Sequence, residues 1–342
     1  MDTIERAIQK LTGKRPARDA SGGGLLERAE AHSRWQQPAT APTAPERPVL
    51  APPRPTTSRV TSPAPMADGT EASAPVEDDG FVPPARMLEN GPPKQRISIP
   101  LERIRQESMI VPDERRSRIK EEYRLIKRPL LMNAAGKGAT LLDFPNLMMV
   151  TSSQPGEGKT FTAINLALSI ASERDLTVLL VDADVIKPRL STFFGVAAQP
   201  GLVDLLVDES LGISDLLVAT DIPSLSLLPA GNTHHLTTEL MASRNMRDLA
   251  ETLCRSNPDR IVIFDSPPLL ATPEASVLAH LVGQIVMVVE ADRTLQSHVR
   301  EALALLDPDM IVGFVMNKTR KTLGSDYYGH GGYGYYGDGN DF

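Results

Sequence analysis

Cysteine is nearly absent from the 342 residues. The single Cys254 rules out an intrachain disulfide and any cysteine-based metal cluster. It fits a reducing compartment. Long apolar runs are missing as well. The most apolar segments soon meet an acid, as in VLLVDAD, IVIFDSPP and QIVMVVEAD, and fall short of the roughly 18–20 residues of a membrane span. A soluble chain is expected, with peripheral attachment through a membrane partner left open. The N-terminus, MDTIERAIQKL, carries acids early and is not expected to be a signal peptide. Positive charge is not in excess. The 36 Lys and Arg against 43 Asp and Glu give a formal net charge of -7, which disfavours bulk attraction to nucleic acid or anionic lipid.

Proline, by contrast, is unevenly placed: 16 of 29 fall within the first 100 residues. Residues 13–95 are rich in Pro, Ala, Ser, Thr and Gly, with Trp35 and Phe81 the only aromatics. Such a stretch cannot offset its ordering entropy by burial, so 1–95 is expected to be a disordered linker, extended by its prolines. Ile4, Ile8 and Leu11 recur at helical spacing; residues 2–12 are either a short helix or a frayed terminus. Residues 96–140 read as a helical lead-in, with a helix over 113–133 kinked or broken near Pro129.

From 141 to 322 the pattern becomes α/β. Apolar strands are predicted at 146–153, 177–184, 224–231, 260–268, 284–292 and 310–318. Helices are predicted at 160–173, 201–210, 237–255 and 294–307. Continuous apolar strands alternating with helices indicate a mostly parallel sheet covered on both faces, a three-layer αβα fold, and the glycine–lysine loop at 151–160 makes the expected type that of a P-loop NTPase. Residues 323–342 lack apolar periodicity and read as a flexible tail.

The segment TSSQPGEGKT (151–160) follows a strand and opens a helix. Gly156 and Gly158 free the backbone to point N–H groups at phosphate oxygens, and the helix N-terminus adds its dipole. Lys159 is placed to bridge the β- and γ-phosphates, and Thr160 to ligate Mg²⁺. Ser153 stands where the usual spacing has glycine, so the loop is a variant. Asp182 and Asp184 close one apolar strand and Asp265 another. Carboxylates there hold Mg²⁺ directly or through water, and one of Asp182 and Asp184 could accept a proton from an incoming hydroxyl. Met316–Asn317–Lys318 ends the last strand and is expected to border the adenine, with Asn317 as candidate base contact. The candidate ATP-binding set is Gly156, Glu157, Gly158, Lys159, Thr160, Phe161, Asp265 and Asn317; the candidate metal set is Thr160, Asp182, Asp184 and Asp265. Gln284, His298, Cys254, His234 and His235 are assigned no chemistry.

These motifs together resemble the bacterial tyrosine kinases of polysaccharide export and chain-length control, within the MinD/ParA group of deviant P-loop ATPases. The resemblance covers about residues 97–342 and rests on TSSQPGEGKT, VLLVDADVIKPRL and IVIFDSPPLL. It implies that Lys159 and Thr160 bind phosphate and Mg²⁺, that Asp182 serves Mg²⁺ and tyrosine activation, that Asp184 supports the metal, and that Asp265 holds a water that in turn contacts the metal's ligands. Lys159, Asp182 and Asp184 are thus the candidate catalytic residues. Gln154 stands where MinD/ParA members carry a signature lysine. The family's Glu-x-x-Arg-x-x-Arg helix, which builds a ring-shaped oligomer, is matched by Glu121, Arg124 and Lys127, with lysine in the last place. Ile186 interrupts the basic residues usual after the second motif. Within the family the chain looks most like the soluble kinases of exosortase-associated exopolysaccharide loci. That resemblance implies a separate membrane activator of the chain-length-regulator type, a phosphotyrosine phosphatase, and a cytoplasmic location at the inner face of the plasma membrane.

Five of the six tyrosines lie in the tail: Tyr327, Tyr328, Tyr333, Tyr335 and Tyr336. Flanking glycines and acids keep their hydroxyls exposed, and each phosphate would add about -1.5 to -2 charges. The expectation is an ATP- and Mg²⁺-dependent autokinase acting on this tail in trans. A MinD/ParA-like positioning ATPase and a non-enzymatic scaffold are the alternatives.

Overall fold

The computed structural model describes residues 83–88, 91–112, 117–138 and 142–319. The N-terminal helix and linker expected up to residue 82 lie outside the described residues. So do tail residues Tyr327, Tyr328, Tyr333, Tyr335 and Tyr336.

The strands are β1 (Gln95–Ile97), β2 (Leu147–Ser152), β3 (Thr177–Asp182), β4 (Val218–Thr220), β5 (Leu225–Leu228), β6 (Arg260–Asp265), β7 (Gln284–Glu290) and β8 (Ile311–Asn317). The helices are α1 (Leu101–Gln106), α2 (Arg118–Ala134), α3 (Lys159–Ile170), α4 (Arg189–Phe193) and α5 (Leu202–Val207). They continue with α6 (Ile213–Leu216), α7 (Thr237–Met241), α8 (Arg244–Arg255), α9 (Pro273–Ala279) and α10 (Gln296–Leu303). The sheet order is β1-β4-β5-β3-β6-β2-β7-β8. Every neighbouring pair is parallel except β4 and β5. This is the mostly parallel, three-layer α/β arrangement that the apolar strands predict.

Successive strand residues point to opposite faces. Leu147 and Met149 of β2, with Leu179 and Val181 of β3, pack against Leu202, Met246, Leu249 and Ala275 from α5, α8 and α9. Met148, Val150, Val178 and Leu180 pack on the other face against Ile104, Tyr123, Ile164 and Leu190 from α1, α2, α3 and α4. Burial on both faces explains why the central strands carry no alternating polar residues. Among the described residues no helix is long and apolar enough to cross a membrane.

Three local expectations change. Residues 83–88 and 91–95, expected in the linker, belong to the fold. Met87 is buried in the core, Arg86 Nη1 donates to Leu205 O at 2.8 Å at the end of α5, and β1 extends the sheet. The helix around Pro129 runs unbroken from Arg118 to Ala134, because packing of Tyr123, Lys127 and Leu130 outweighs the one hydrogen bond a proline forfeits. The single helix expected over 237–255 divides into α7 and α8, where the Ser243 hydroxyl accepts from Met246 N at 3.2 Å and caps the second.

Candidate functional site

Adjacent parallel strands deliver their C-terminal ends to one edge. In the register, Asp182 of β3 lies opposite Asp265 of β6, and Asp265 opposite Val150 of β2. The loop 153–158 leaves β2 at the same edge and enters α3. A ligand crevice is expected at the carboxyl ends of such strands.

The loop is tied down from both sides. The Glu157 carboxylate accepts from Gln154 N at 3.0 Å and from the Thr294 hydroxyl. Asn317 Nδ2 donates to Glu157 O at 2.9 Å. Lys318 Nζ donates to Gly156 O at 2.7 Å and meets Glu290 at 3.0 Å. Gly158, at φ +101°, is the N-cap of α3, and a Cβ there would stand 1.9 Å from Asn317 Nδ2. Glycine is therefore required twice over, by backbone conformation and by space. Pro155, Gly156, Gly158, Lys159, Thr160 and Phe161 line a cavity of about 920 Å³. Asp184, Ile186, Lys187, Arg189, Pro267 and Pro268 close its other side, with Arg103 and Glu107 of the lead-in.

Beneath the loop lie the acids. Lys159 Nζ pairs with Asp184 Oδ2 at 2.5 Å, both side chains nearly buried. Asp182 Oδ2 accepts from Ser191 N at 2.8 Å and from Ser191 Oγ at 2.7 Å. Burial, reinforced by the neighbouring Asp265 charge, pushes the Asp182 carboxyl up to about 7 despite those donors. Burial likewise pushes Asp265 up to about 6, with the Lys159 charge opposing it. Both Asp265 oxygens and the Thr160 hydroxyl are buried without a well-formed hydrogen bond, although Thr160 lies close enough to Asp265 to oppose part of its shift. Such orphans are costly unless another group completes them.

These donors fit a magnesium–nucleotide. Mg²⁺ takes one or two protein oxygens and completes its shell with phosphate and water. No group of three or more His, Cys, Asp or Glu suited to a metal occurs among the described residues. Helix N-terminus, loop N–H groups and Lys159 supply positive potential for phosphates.

Not every predicted residue sits where its spacing suggested. Glu157 spends both carboxylate oxygens bracing the loop, and Asn317 spends an amide N–H on the same task. Glu121 and Arg124 are exposed and paired at 2.8 Å on α2. Lys127 is buried, donating to Ser169 O at 2.5 Å and pairing with Glu173 at 2.6 Å, so it does not share their exposed face. Burial raises the Cys254 thiol to about 11, so it is not a nucleophile at neutral pH. Ser191, Thr294 and Arg103 carry no motif signal, and the fold alone brings them to the site.

An α/β sheet with a glycine loop, lysine and strand-end acids at this edge defines a P-loop nucleotide-binding protein, and residues 146–296 match the model of an AAA domain family. The chain is 31% identical over 240 residues to tyrosine-protein kinase YwqD of Bacillus subtilis (strain 168), covering 69% of this chain and 94% of that protein. It is 35% identical over 161 residues to putative tyrosine-protein kinase EpsB of Ralstonia nicotianae, covering 47% of this chain but only 21% of that longer protein. The crystal structure of the chimerical protein CapA2B2 superposes with a TM-score of 0.54 at 26% identity, over 67% of this chain and 95% of the other. The chain belongs to the bacterial tyrosine kinase family.

Proposed function

We propose that this kinase-family chain is an ATP-dependent tyrosine autokinase that phosphorylates its own C-terminal cluster in trans and regulates exopolysaccharide biosynthesis and export. The observation that carries the proposal is the buried acidic trio and Lys159 beneath a preformed phosphate loop, in a chain that gathers Tyr327, Tyr328, Tyr333, Tyr335 and Tyr336 within ten residues. Lys159 leaves Asp184 to contact the β- and γ-phosphates. A tyrosine hydroxyl attacks the γ-phosphorus as its bond to the ADP oxygen breaks, and the phenolic proton passes to the Asp182–Asp184 pair. Thr160, Asp182, Asp184 and Asp265 are the proposed holders of Mg²⁺, which would neutralise charge developing on the phosphates.

Phosphates on several tail tyrosines would repel one another and the acidic floor, giving a cycle between tail-docked assembly and dispersal. Glu121 and Arg124 are the proposed contacts of a ring-shaped homo-oligomer. A membrane chain-length regulator would activate the chain at the inner membrane face, and a phosphotyrosine phosphatase would reset it.

Incubation of the full chain with Mg²⁺ and ATP should yield tail phosphotyrosine by mass spectrometry, and none in Lys159→Ala alone. Mixed with active chain lacking residues 323–342, Lys159→Ala should be labelled, since it still offers its tail. Equal labelling of wild type and Lys159→Ala alone would sink the kinase. ATP hydrolysis without phosphotyrosine would identify a nucleotide switch instead.

A further inference from the structure

Ser191 stands on α4, nine residues beyond Asp182 and outside every motif, yet each of its polar atoms is committed. Its N–H and its hydroxyl both donate to Asp182 Oδ2, at 2.8 and 2.7 Å. Its Oγ accepts from Ala230 N at 3.1 Å, and its carbonyl accepts from Val196 N at 2.8 Å. The residue is 1% exposed and Asp182 is fully buried. Because the Ala230 N–H already occupies a lone pair of Oγ, the single hydroxyl proton is directed to the carboxylate. The result is a two-point clamp on one oxygen. The other, Oδ1, keeps only a 3.3 Å contact from Asp184 N. One carboxylate oxygen is thus saturated, and its twin remains for chemistry.

The clamp is itself anchored. The Arg103 guanidinium lies 4.5 Å over the Phe193 ring and donates to the carbonyls of Thr192 and Phe193 at 3.4 and 3.3 Å. The lead-in helix α1 therefore holds α4, and α4 holds the acid.

We propose that Ser191 is a positioning residue for phosphoryl transfer, fixing the Asp182 carboxylate so that Oδ1 alone is presented to the nucleotide side. This rests on the kinase function proposed above. Hydrogen bonds to a charged group, once lost, cost on the order of ten- to a hundredfold.

The test uses the full chain as wild type, Ser191→Ala and Ser191→Thr. Tail phosphorylation should show kcat reduced about ten- to a hundredfold in Ser191→Ala, with KM for ATP changed about twofold or less. Ser191→Thr keeps the hydroxyl and should recover most of the rate. Binding of a fluorescent ATP analogue should be unchanged without Mg²⁺, while the gain in affinity on adding Mg²⁺ should shrink in Ser191→Ala. A kcat near wild type in Ser191→Ala overturns the proposal, as does a Ser191→Thr variant equally impaired while melting like wild type. If wild type forms no phosphotyrosine, the kinase function fails by itself. The Mg²⁺-dependent binding comparison then decides on Ser191: an undiminished gain in Ser191→Ala overturns its role, and a diminished one upholds it.

Discussion

The rim and the floor of the site are built on opposite principles. In the rim, Glu157, Asn317, Thr294 and Lys318 hold the phosphate loop in shape through hydrogen bonds that need no ligand. In the floor, Asp182 and Asp265 are packed side by side at the ends of β3 and β6, with orphaned oxygens on Asp265 and on Thr160. The rim is preorganised, so nucleotide binding spends little on ordering it. The floor is frustrated, which costs stability in the free protein and, under the proposed function, would favour a magnesium–nucleotide. The comparison yields a sharp rule: substitutions in the rim should destabilise the free protein, whereas neutralising the floor should stabilise it while abolishing function.

The largest effect is expected at Gly158. Gly158→Ala forces a side chain into a left-handed conformation, which costs about 1–2 kcal/mol, and drives a Cβ to 1.9 Å from Asn317 Nδ2. ATP affinity should fall by about a hundredfold or more, measured with a fluorescent analogue. Adding Asn317→Ala removes the clash but not the backbone strain, so the double variant should recover only part of the loss. Full recovery would show that the backbone conformation is not required.

Next comes the floor. Asp265→Asn removes a buried charge whose desolvation outweighs its attraction to Lys159, and the free protein should gain about 1–2 kcal/mol at pH 8, read by denaturant unfolding. Phosphoryl transfer in the same variant should drop by about a hundredfold or more. A destabilised Asp265→Asn would erase the contrast between rim and floor.

A smaller effect is expected from Glu157→Gln. The amide keeps one acceptor but turns an N–H toward a donor, Gln154 N or the Thr294 hydroxyl. Loss of a charge-assisted bond of this kind costs about 1–3 kcal/mol. KM for ATP should rise with kcat little changed, as steady-state kinetics can check, because the loop contacts nucleotide before and during reaction alike.

Much of this contrast is legible from sequence, and the remainder is hidden for physical reasons. β2, β3, β6 and β7 are buried on both faces, so their unbroken apolar runs announce them and place Asp182 and Asp265 at strand ends. The three-residue strands β1 and β4 give too short a pattern, and the proline-rich flank conceals that Met87 is core. Positions 121, 124 and 127 look equivalent as a written motif. At 100° per residue each step of three turns the helix by about -60°, so the third lies about 120° from the first. That rotation carries Lys127 under α2 and onto the end of α3. Thr294 acts across 137 residues, and Ser191 reaches back nine residues through the turn between β3 and α4, which no written motif encodes.

The finest test of the contrast is pH. The Asp182 and Asp265 carboxyls are raised from an ordinary 3.8 to about 7 and about 6. A raised folded value means that the native state holds its protons more tightly than the unfolded chain. The resulting stability is complete below pH 3.8 and is lost as pH climbs through 6 to 7. Asp208, Asp215 and Glu290 are shifted the other way, by hydrogen bonds from Ser210, Lys94 and Lys318 respectively. Their contribution is lost only on acidification below the ordinary carboxylate range, so it is constant from pH 5 to 8. Within that window the free protein should therefore melt lower as pH rises, by a few degrees. Saturating Mg²⁺ and ATP favour the ionised acids, so the melting point gained on adding them should grow between pH 6 and 8. Asp265→Asn should flatten both trends, and Glu157→Gln, a rim change, should leave both slopes as in wild type. Scanning calorimetry of the three proteins at four pH values gives the answer. A free protein that melts higher at pH 8 than at pH 6 would mean that the floor acids are already neutralised by a partner within the chain.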